Sequence, residues 1–449
     1  MHWTTISKWL KRLLGLVLVY VVMFAGVFAW QMISHRLSDP DADLVDKTKE
    51  DTQNRLDANA AIIEQVRQFV TKYRTPQYER DAHSKPHGCV RATFEVFDTQ
   101  AKYNHGIFEQ AAIYEAWVRF SNGSVPVLDD PKKDARGMAI KVMGVPGEQL
   151  LPPMLSGNTQ DFVMINSPAF FIRKISDYLD LETRTTQGKP FTYFLGDYYL
   201  NPFKWKLREL YLGLGTRKKP PSTPLSTQYF SMSPYKLGPH EIKYSAKACE
   251  DYQAPGIDRS DPNFLREAMK KVLKHQDACF QFMVQVRDPE ARMPIQDTTV
   301  VWSEKKSPFI PLARVHIPKQ EFDTPEQNAM CEALSFNVWH GRKEMKPLSY
   351  VNELRRDLYM HTAAYRNVRN GVHEDEPSSW CDSLPQYCDT QEEVEEGFYG
   401  EAVRSDLFSD GEEVEEETVG EAVRTDLFSD DEEVEELEAE VEAESGELF

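Results

Sequence analysis

The stretch SYVNELRRDLY, residues 349–359, places an arginine four residues before a tyrosine. If this stretch is helical, Arg355 and Tyr359 lie on one face, because positions i and i+4 are neighbours on a helix. Taken alone, a guanidinium beside a phenol is typical of an ordinary surface contact. Whether this pair does chemistry therefore depends on the motifs elsewhere in the sequence.

Four earlier stretches carry charged and polar residues in compact patterns. They are RDAHSK (residues 80–85), WVRFSNGS (117–124), DARGMAIKV (134–142) and DFVMINSPAFFIR (161–173). In their order along the chain, and together with the late arginine–tyrosine pair, they resemble the motifs of the catalase superfamily of haem proteins. The resemblance covers roughly residues 75–370. Each motif is weak alone, whereas the whole set in order is specific.

The resemblance implies that haem b is bound through a tyrosinate, with Tyr359 as the ligand of the iron. A free phenol has a pKa of about 10, so a phenolate at neutral pH needs the ferric iron and a fixed positive partner. Arg355 supplies that charge one helical turn away, since an opposite charge favours the ionised form. Arg356 points elsewhere on such a helix and is expected to be structural.

On the other side of the haem the family uses a histidine and an asparagine, which match His83 and Asn166. Cleavage of an O–O bond needs a proton moved between its oxygens, and a histidine can take it as a base and return it as an acid. The Asn166 amide would hold the second oxygen, and Ser121 matches a serine that hydrogen-bonds to the histidine. His87 is a rival to His83, but it stands outside the R-x-x-H-x-K pattern.

Haem carries two carboxylates, and the forked guanidinium group of arginine pairs well with them. Arg80, Arg119 and Arg366 match the arginines that hold these propionates in the family. For each arginine considered alone, an exposed ion pair is the ordinary alternative.

The chain departs from full-length catalases at several motifs. The glycine-rich run after the histidine is replaced by PHGCVRAT, and RRDLY lacks the aromatic residue usual between the arginine and the tyrosine. Those enzymes carry the catalytic asparagine three residues before the proline. Ile165 holds that position here, whereas Asn166 is two residues before Pro168. These features favour the small, divergent catalase-related branch, which includes minimal catalases, organic-hydroperoxide peroxidases and allene oxide synthases.

The resulting prediction is a haem-dependent enzyme that consumes hydrogen peroxide or an organic hydroperoxide by splitting its O–O bond. One alternative is a lipid hydroperoxide isomerase or dehydratase of the allene oxide synthase type, which causes no net redox change. Another is a non-catalytic, membrane-tethered scaffold built on the catalase fold. The shifted asparagine favours the scaffold, and the retained tyrosine, histidine and arginines oppose it.

The net charge of the 449 residues is −20, which argues against nucleic-acid binding, but the charge is concentrated at the C-terminus. Residues 392–449 contain about 25 acidic side chains, with only Arg404 and Arg424 as basic ones. A unit of about 20 residues repeats there, containing EAVRSDLFSD and then EAVRTDLFSD. This charge density predicts a disordered tail, in which the repeats are candidate binding motifs for a protein partner.

An uncharged apolar run over residues 13–30 is near the minimum length for a membrane-spanning helix. The basic stretch KWLKR precedes it and an acidic segment follows it. The positive-inside rule then places the N-terminus in the cytoplasm and the main domain on the periplasmic or extracellular side. The alternative is a cleaved signal peptide, with Val27 and Ala29 as the small residues before the cut.

Alternating runs such as TFEVF, AWVRFS, MAIKVMGV, CFQFMVQV and LARVHI predict strands, and residues 60–73, 204–213 and 263–275 have helical periodicity. Strands come first and helices late, which favours an α+β fold with an antiparallel sheet. The resemblance makes this a catalase-like β-barrel core with surrounding helices. The predicted organisation is an anchor at residues 1–34, a spacer and helix at 35–74, a haem domain at 75–375 and the acidic tail at 376–449.

The six cysteines fit no zinc-binding or CxxC motif. Most are expected to be buried as small apolar side chains. Cys381 and Cys388 lie close together in a polar stretch, and a disulfide between them is expected if this part of the chain is outside the cytoplasm.

Overall fold

A computed structural model of the chain describes residues 3–73, 78–80, 82–98, 101–124, 127–197, 201–372 and 376–390. Its α-helices are α1 (Trp3–Leu37), α2 (Lys49–Tyr73), α3 (Pro153–Ser156), α4 (Ile175–Thr186), α5 (Phe191–Leu195), α6 (Leu207–Thr216), α7 (Phe264–His275), α8 (Pro325–Ala333), α9 (Tyr350–Arg369) and α10 (Trp380–Ser383). Its strands are β1 (Pro86–Val96), β2 (Ala112–Asn122), β3 (Arg136–Val142), β4 (Gln160–Ile165), β5 (Tyr229–Phe230), β6 (Tyr235–Leu237), β7 (His240–Ala248), β8 (Ala278–Val286) and β9 (Ile310–Ile317).

An antiparallel β-barrel forms the centre of the molecule. Its strands follow one another in the order β1, β2, β3, β4, β5, β7, β8 and β9, and β9 pairs back with β1. The short strand β5 completes the ring by pairing with both β4 and β7, while β6 hangs on β7 as a hairpin. The predicted α+β class, with an antiparallel barrel and surrounding helices, is confirmed.

Aromatic side chains fill the interior of the barrel. The ring centroids of Phe94 and Phe162 are 5.5 Å apart, and those of Phe162 and Phe282 are 4.5 Å apart. In β1, Ala92, Phe94 and Val96 are buried and alternate with more exposed residues, as the period of two in a strand requires. Because the interior is packed, a cofactor-sized ligand has to bind on the outer side of the barrel wall.

Helices α2, α4 and α9 pack together beside the barrel. Ile62 and Val66 of α2 form an apolar cluster with Leu358 of α9. Helix α2 begins at residue 49 rather than at the predicted residue 60. Its polar first half is held to α9 by Arg55, whose Nη1 donates to Glu353 at 2.8 Å. Arg55 and Glu353 are far apart in the sequence, so the residue pattern of α2 alone could not have predicted this contact.

The folded part of the chain continues to residue 389. Trp380 of α10 is buried and packs with Trp117 and Leu334, and its backbone N–H donates to the carboxylate of Glu115. Residues 376–389, which were predicted to be part of the tail, therefore belong to the folded unit. The acidic repeats and their predicted disorder lie outside the described residues.

All six cysteines are paired as Cys89–Cys331, Cys249–Cys279 and Cys381–Cys388. Only Cys89 and Cys331 are buried, so the expectation that most cysteines are buried as small apolar side chains is wrong. The proposed pairing of Cys381 with Cys388 is present. Cys89 and Cys331 are separated by 242 residues, so no local pattern in the sequence could have revealed their bond. Disulfides of this number are typical of oxidising compartments.

Candidate functional site

Two adjoining cavities lie between the barrel wall and helices α2, α4 and α9. Their volumes are about 390 Å³ and about 160 Å³. Five residues line both of them, namely Ala82, His83, Tyr178, Leu358 and Tyr359. Tyr359, the predicted iron ligand, and His83, the predicted catalytic histidine, therefore face one continuous region, although they are far apart in the sequence.

The arginine–tyrosine pair of α9 has the geometry that the i, i+4 spacing predicts. Arg355 Nε donates to Tyr359 Oη at 3.0 Å, and Arg355 Nη1 donates to Asn352 Oδ1 at 3.0 Å. Burial lowers the pKa of Arg355, but the hydroxyls of Tyr359, Tyr235 and Tyr244 together raise it above its ordinary value. The guanidinium is thus a permanent positive charge held against the phenol.

His83 lies in the segment before β1, in the left-handed backbone region, with φ at 56°. This conformation is costly for a residue with a side chain and is found mainly where the surroundings impose it. Its Nδ1 is 3.0 Å from Ser121 Oγ of β2. Desolvation, reinforced by the nearby Arg119, lowers the pKa of His83 to about 4. The imidazole is therefore neutral at pH 7.

The residues at the start of the DARGMAIKV stretch, Asp134 to Gly137, form the surface against which His83 packs. Asp134 accepts a hydrogen bond from Ser124 Oγ at 2.5 Å and one from the Ala135 N–H at 2.8 Å, which fixes the turn before β3. Gly137 follows at the start of β3, where a Cβ atom would lie 2.5 Å from His83 Nδ1. Glycine is needed here for closeness of approach, because any side chain would displace the ring.

Arginines cluster at the smaller cavity. Arg80, Arg119 and Arg366 all line it, and Arg119 Nη2 donates to the His83 carbonyl at 2.8 Å. Burial lowers the pKa of Arg119 to about 9, and the charge of Arg80 acts in the same direction. Glu332 opposes this, with carboxylate oxygens 3.8 Å from both Arg80 and Arg119. Within the part of the chain that the structure describes, Glu332 is the carboxylate that pairs with both Arg80 and Arg119, so positive charge predominates around these two guanidiniums.

These arginines are not equally available to a ligand. Arg80 Nη2 donates to the backbone carbonyls of Cys331 and Leu334, at 3.1 Å and 2.6 Å, so it also secures the end of α8. The Nε of Arg119 is buried and has no hydrogen-bond partner among the described residues. That donor, inside a positively charged cluster, suits a carboxylate of a bound molecule.

Asn166 is not brought into the cavities. It is buried, its Oδ1 accepts from the Arg136 N–H at 2.8 Å, and it does not line either cavity. Its neighbour Ile165 lines the larger cavity instead. At the end of β4, Ile165 rather than Asn166 therefore contributes to the cavity wall, as expected where neighbouring residues of a strand point to opposite sides. The structure gives Asn166 a supporting role for the turn that precedes Gly137.

His87 is also outside the cavities. It is buried and bonded through Nε2 to Asn122 Oδ1 at 2.9 Å. Burial lowers its pKa to about 3, although the nearby Asp130 opposes this effect. Arg356 pairs with Asp357 next to it. Of the two candidate histidines, only His83 lines the cavities together with Tyr359.

The larger cavity is lined mainly by apolar side chains. They are Val66, Phe69, Ile165, Phe170, Phe171, Ile172, Ile175, Leu181, Val351, Leu354 and Leu358. Lys174 and Glu182 are the charged residues of its wall apart from Arg355. The contribution of α2 to this wall was not predicted, although the apolar spacing of Ile62, Val66 and Phe69 is a signal that could have indicated it. Nothing in the sequence indicated Glu332.

No protein-family model and no curated protein matches the sequence. Solved structures do match the fold. Catalase A from Saccharomyces cerevisiae has a TM-score of 0.51 and 16% identity, over 67% of this chain and 63% of that one. A fungal catalase has a TM-score of 0.50 and 16% identity, over 78% and 74% of the two chains. This chain therefore spans less than two thirds of the yeast enzyme. At such identities the likeness establishes that the fold is catalase-like.

Proposed function

We propose that this chain is a haem-dependent enzyme that consumes hydroperoxides by splitting their O–O bond. The observation that carries the proposal is that Tyr359 and His83 line both of the adjoining cavities. Arg355, the partner of Tyr359, lines the larger cavity, and Ser121, the partner of His83, lines the smaller one. A scaffold on this fold would gain nothing from a buried guanidinium held against a phenol beside a neutral histidine. That contrast favours the enzyme over the scaffold.

The residues present fit a haem group. Tyr359 would hold the iron as a phenolate, stabilised by Arg355, while Arg119 and Arg366 would take the two propionates. The unpartnered Nε of Arg119 and the excess positive charge beside it support this assignment. Among the described residues, no set of three or more His, Cys, Asp or Glu side chains could hold a metal ion. When bound, the haem would supply the electrons that cleave the O–O bond.

His83 would manage the proton in this reaction. With its Nδ1–H donated to Ser121 Oγ, the lone pair of Nε2 accepts the proton of the hydroperoxide. The same proton is then returned to the departing oxygen, which leaves as water or an alcohol. One hydroperoxide takes up two electrons and two protons to give an alcohol and water. These come from a second peroxide molecule in dismutation, or from an organic reductant in a peroxidase cycle.

The lining of the larger cavity favours an organic hydroperoxide as the substrate. Ile165 takes the place of a polar amide, and Phe170 and Phe171 extend the apolar wall. An alkyl chain is stabilised in such a cavity because its surface is removed from water. The same observation favours the alternative reaction, isomerisation or dehydration of a lipid hydroperoxide with no net redox change.

The proposed location is a membrane, with α1 as a single span and the enzyme on the non-cytoplasmic side. Among the described residues one helix, Lys8–Leu37, is long and apolar enough to cross a bilayer. The basic residues in the first turns of this helix and the three disulfides of the domain support this side. The acidic repeats would then be exposed on the same side, as candidate binding motifs for a protein partner.

An absorption spectrum of the purified full-length chain is the first test. We expect a Soret band with visible bands of the tyrosinate type, lost in Tyr359→Phe and kept in Tyr365→Phe, a matched change on the same helix. A full Soret band in Tyr359→Phe would refute the ligand assignment. If the wild type takes up no haem at all, the scaffold is the better interpretation.

Product analysis then separates the reactions. Oxygen from hydrogen peroxide indicates a catalase, and an alcohol formed only with an added reductant indicates a peroxidase. A rearranged fatty-acid product formed without reductant indicates the isomerase or dehydratase.

A further inference from the structure

The second half of α1 is fastened to the segment that contains α5 and α6. The rings of Tyr20 and Phe24 lie 5.3 Å and 5.5 Å from the ring of Trp205, measured between centroids. Further along, Gln31 Oε1 accepts from the Leu207 N–H at 2.9 Å, which caps the first turn of α6. The domain therefore contacts α1 from residue 20 onwards and not merely at its end.

The position of Tyr20 within the apolar run indicates how deep its neighbour Trp205 would lie in a membrane. Tyr20 stands ten residues before Trp30, the last residue of that run, which corresponds to roughly 15 Å along a helix. The hydrocarbon core of a bilayer is about 30 Å thick. If α1 spans the membrane, then Trp205 lies close to the depth of the bilayer centre, and the segment around it has to enter one leaflet.

The side chains of this segment suit that environment. Phe203 is 96% exposed, and Phe191, Tyr211 and Leu214 are each more than half exposed. We call these four residues the α5–α6 face. Exposed basic residues precede and follow this segment at Lys189, Arg217 and Lys219. Lys204, which stands next to Trp205 and is also exposed, would have to extend its long side chain from the hydrocarbon region toward the headgroups. Apolar side chains bordered by lysine and arginine are typical of surfaces that enter a membrane next to anionic headgroups.

The same helix forms part of the cavity wall. Thr216, the last residue of α6, lines the larger cavity. At Gly213 a Cβ atom would lie 3.3 Å from the ring of Phe171, which also lines that cavity. Helix α6 therefore separates the cavity from the face that carries Tyr211 and Leu214.

We propose that the α5–α6 face is embedded in the outer leaflet of the membrane, and that an acyl-chain hydroperoxide reaches the larger cavity from the bilayer past α6. The embedded face rests on the proposed anchoring by α1, and the entry route rests on the proposed reaction. The partner is the lipid bilayer itself, recognised by apolar side chains at leaflet depth.

Fluorescence quenching in vesicles tests the embedding without reference to activity. The native cysteines are all paired, so a single added thiol can be labelled in the full-length chain. The variants are Phe203→Cys, Val17→Cys in α1 and Val368→Cys at the far end of α9, whose side chain is also exposed and apolar. Each carries an environment-sensitive dye and is reconstituted into phosphatidylcholine–phosphatidylglycerol vesicles containing nitroxide-labelled acyl chains.

We expect the nitroxide lipid to quench the dyes at positions 17 and 203 at least twofold more than the dye at position 368. Quenching at 17 without quenching at 203 would overturn the proposal and leave the anchor intact. No quenching at position 17 would show that α1 does not span the membrane, and the proposed embedding of the α5–α6 face would then lose its basis. The Soret band of each variant is recorded separately, so failure of the haem proposal is distinguishable from either result.

Discussion

The substitution Gly137→Ala is the most direct test of the close contact between Gly137 and the His83 ring. An added Cβ would lie 2.5 Å from His83 Nδ1 and 2.7 Å from Ser121 Oγ, whereas ordinary contacts begin at 3.4 Å. The His83 ring must therefore move by about 1 Å, or strand β3 must shift by the same distance. Since misplacing a reacting group by about 1 Å can lower the rate about 100-fold, we expect kcat for hydroperoxide cleavage to fall by roughly that factor.

The same variant should keep its haem, because Tyr359 and the arginines are not displaced. The backbone at Gly137 is outside the left-handed region, so alanine introduces no torsional strain there. Gly215→Ala is the matched control, since nothing lies within 4 Å of its added Cβ. The assay is steady-state turnover per haem, with the Soret band and the unfolding temperature of both variants. Normal turnover in Gly137→Ala would refute the role of this contact, and a loss of haem would mean that the change acts through the fold.

Four further outcomes are expected. His83→Ala should retain haem but lose about 10²–10⁴-fold in turnover. In the wild type, turnover should hold from pH 7 to pH 5 and fall as the pH drops through about 4, because protonation of His83 removes the base; a drop centred near 6.5 would contradict the lowered pKa. Glu332→Gln should bind haem more tightly, because the Glu332 carboxylate of the wild type would compete with a propionate for Arg119, and weaker binding in a haem titration would refute this. Ile165→Asn should raise oxygen evolution from hydrogen peroxide relative to turnover of an alkyl hydroperoxide, whereas an unchanged ratio would show that this position does not select the substrate.

The sequence predicted those features that depend on local periodicity. Alternating runs located five barrel strands, because a strand with one face in a packed interior must alternate. The spacing of Arg355 and Tyr359 predicted a contact that one helical turn enforces. Residues joined by these short-range rules needed no knowledge of the tertiary structure.

Features that depend on distant contacts were not predictable. The pairing of Cys89 with Cys331 and the position of Glu332 among the arginines arise from chain segments that meet only in the folded barrel. The polar first half of α2 has no apolar period and becomes helical through its contacts with α9. Asn166 and Ile165 are adjacent, so choosing between them requires the orientation of the last residues of β4.

The bond between Cys89 and Cys331 closes a loop of 242 residues that contains most of the barrel. The exposed residues around 256–261 lie inside this loop and also inside the shorter loop closed by Cys249 and Cys279. A protease that cuts the chain there leaves two fragments joined by both bridges. Such a nicked molecule should migrate as one species on a gel without reductant and as two after reduction. Outside a cell, where proteases are common, damage to this surface loop would therefore not release either half of the chain.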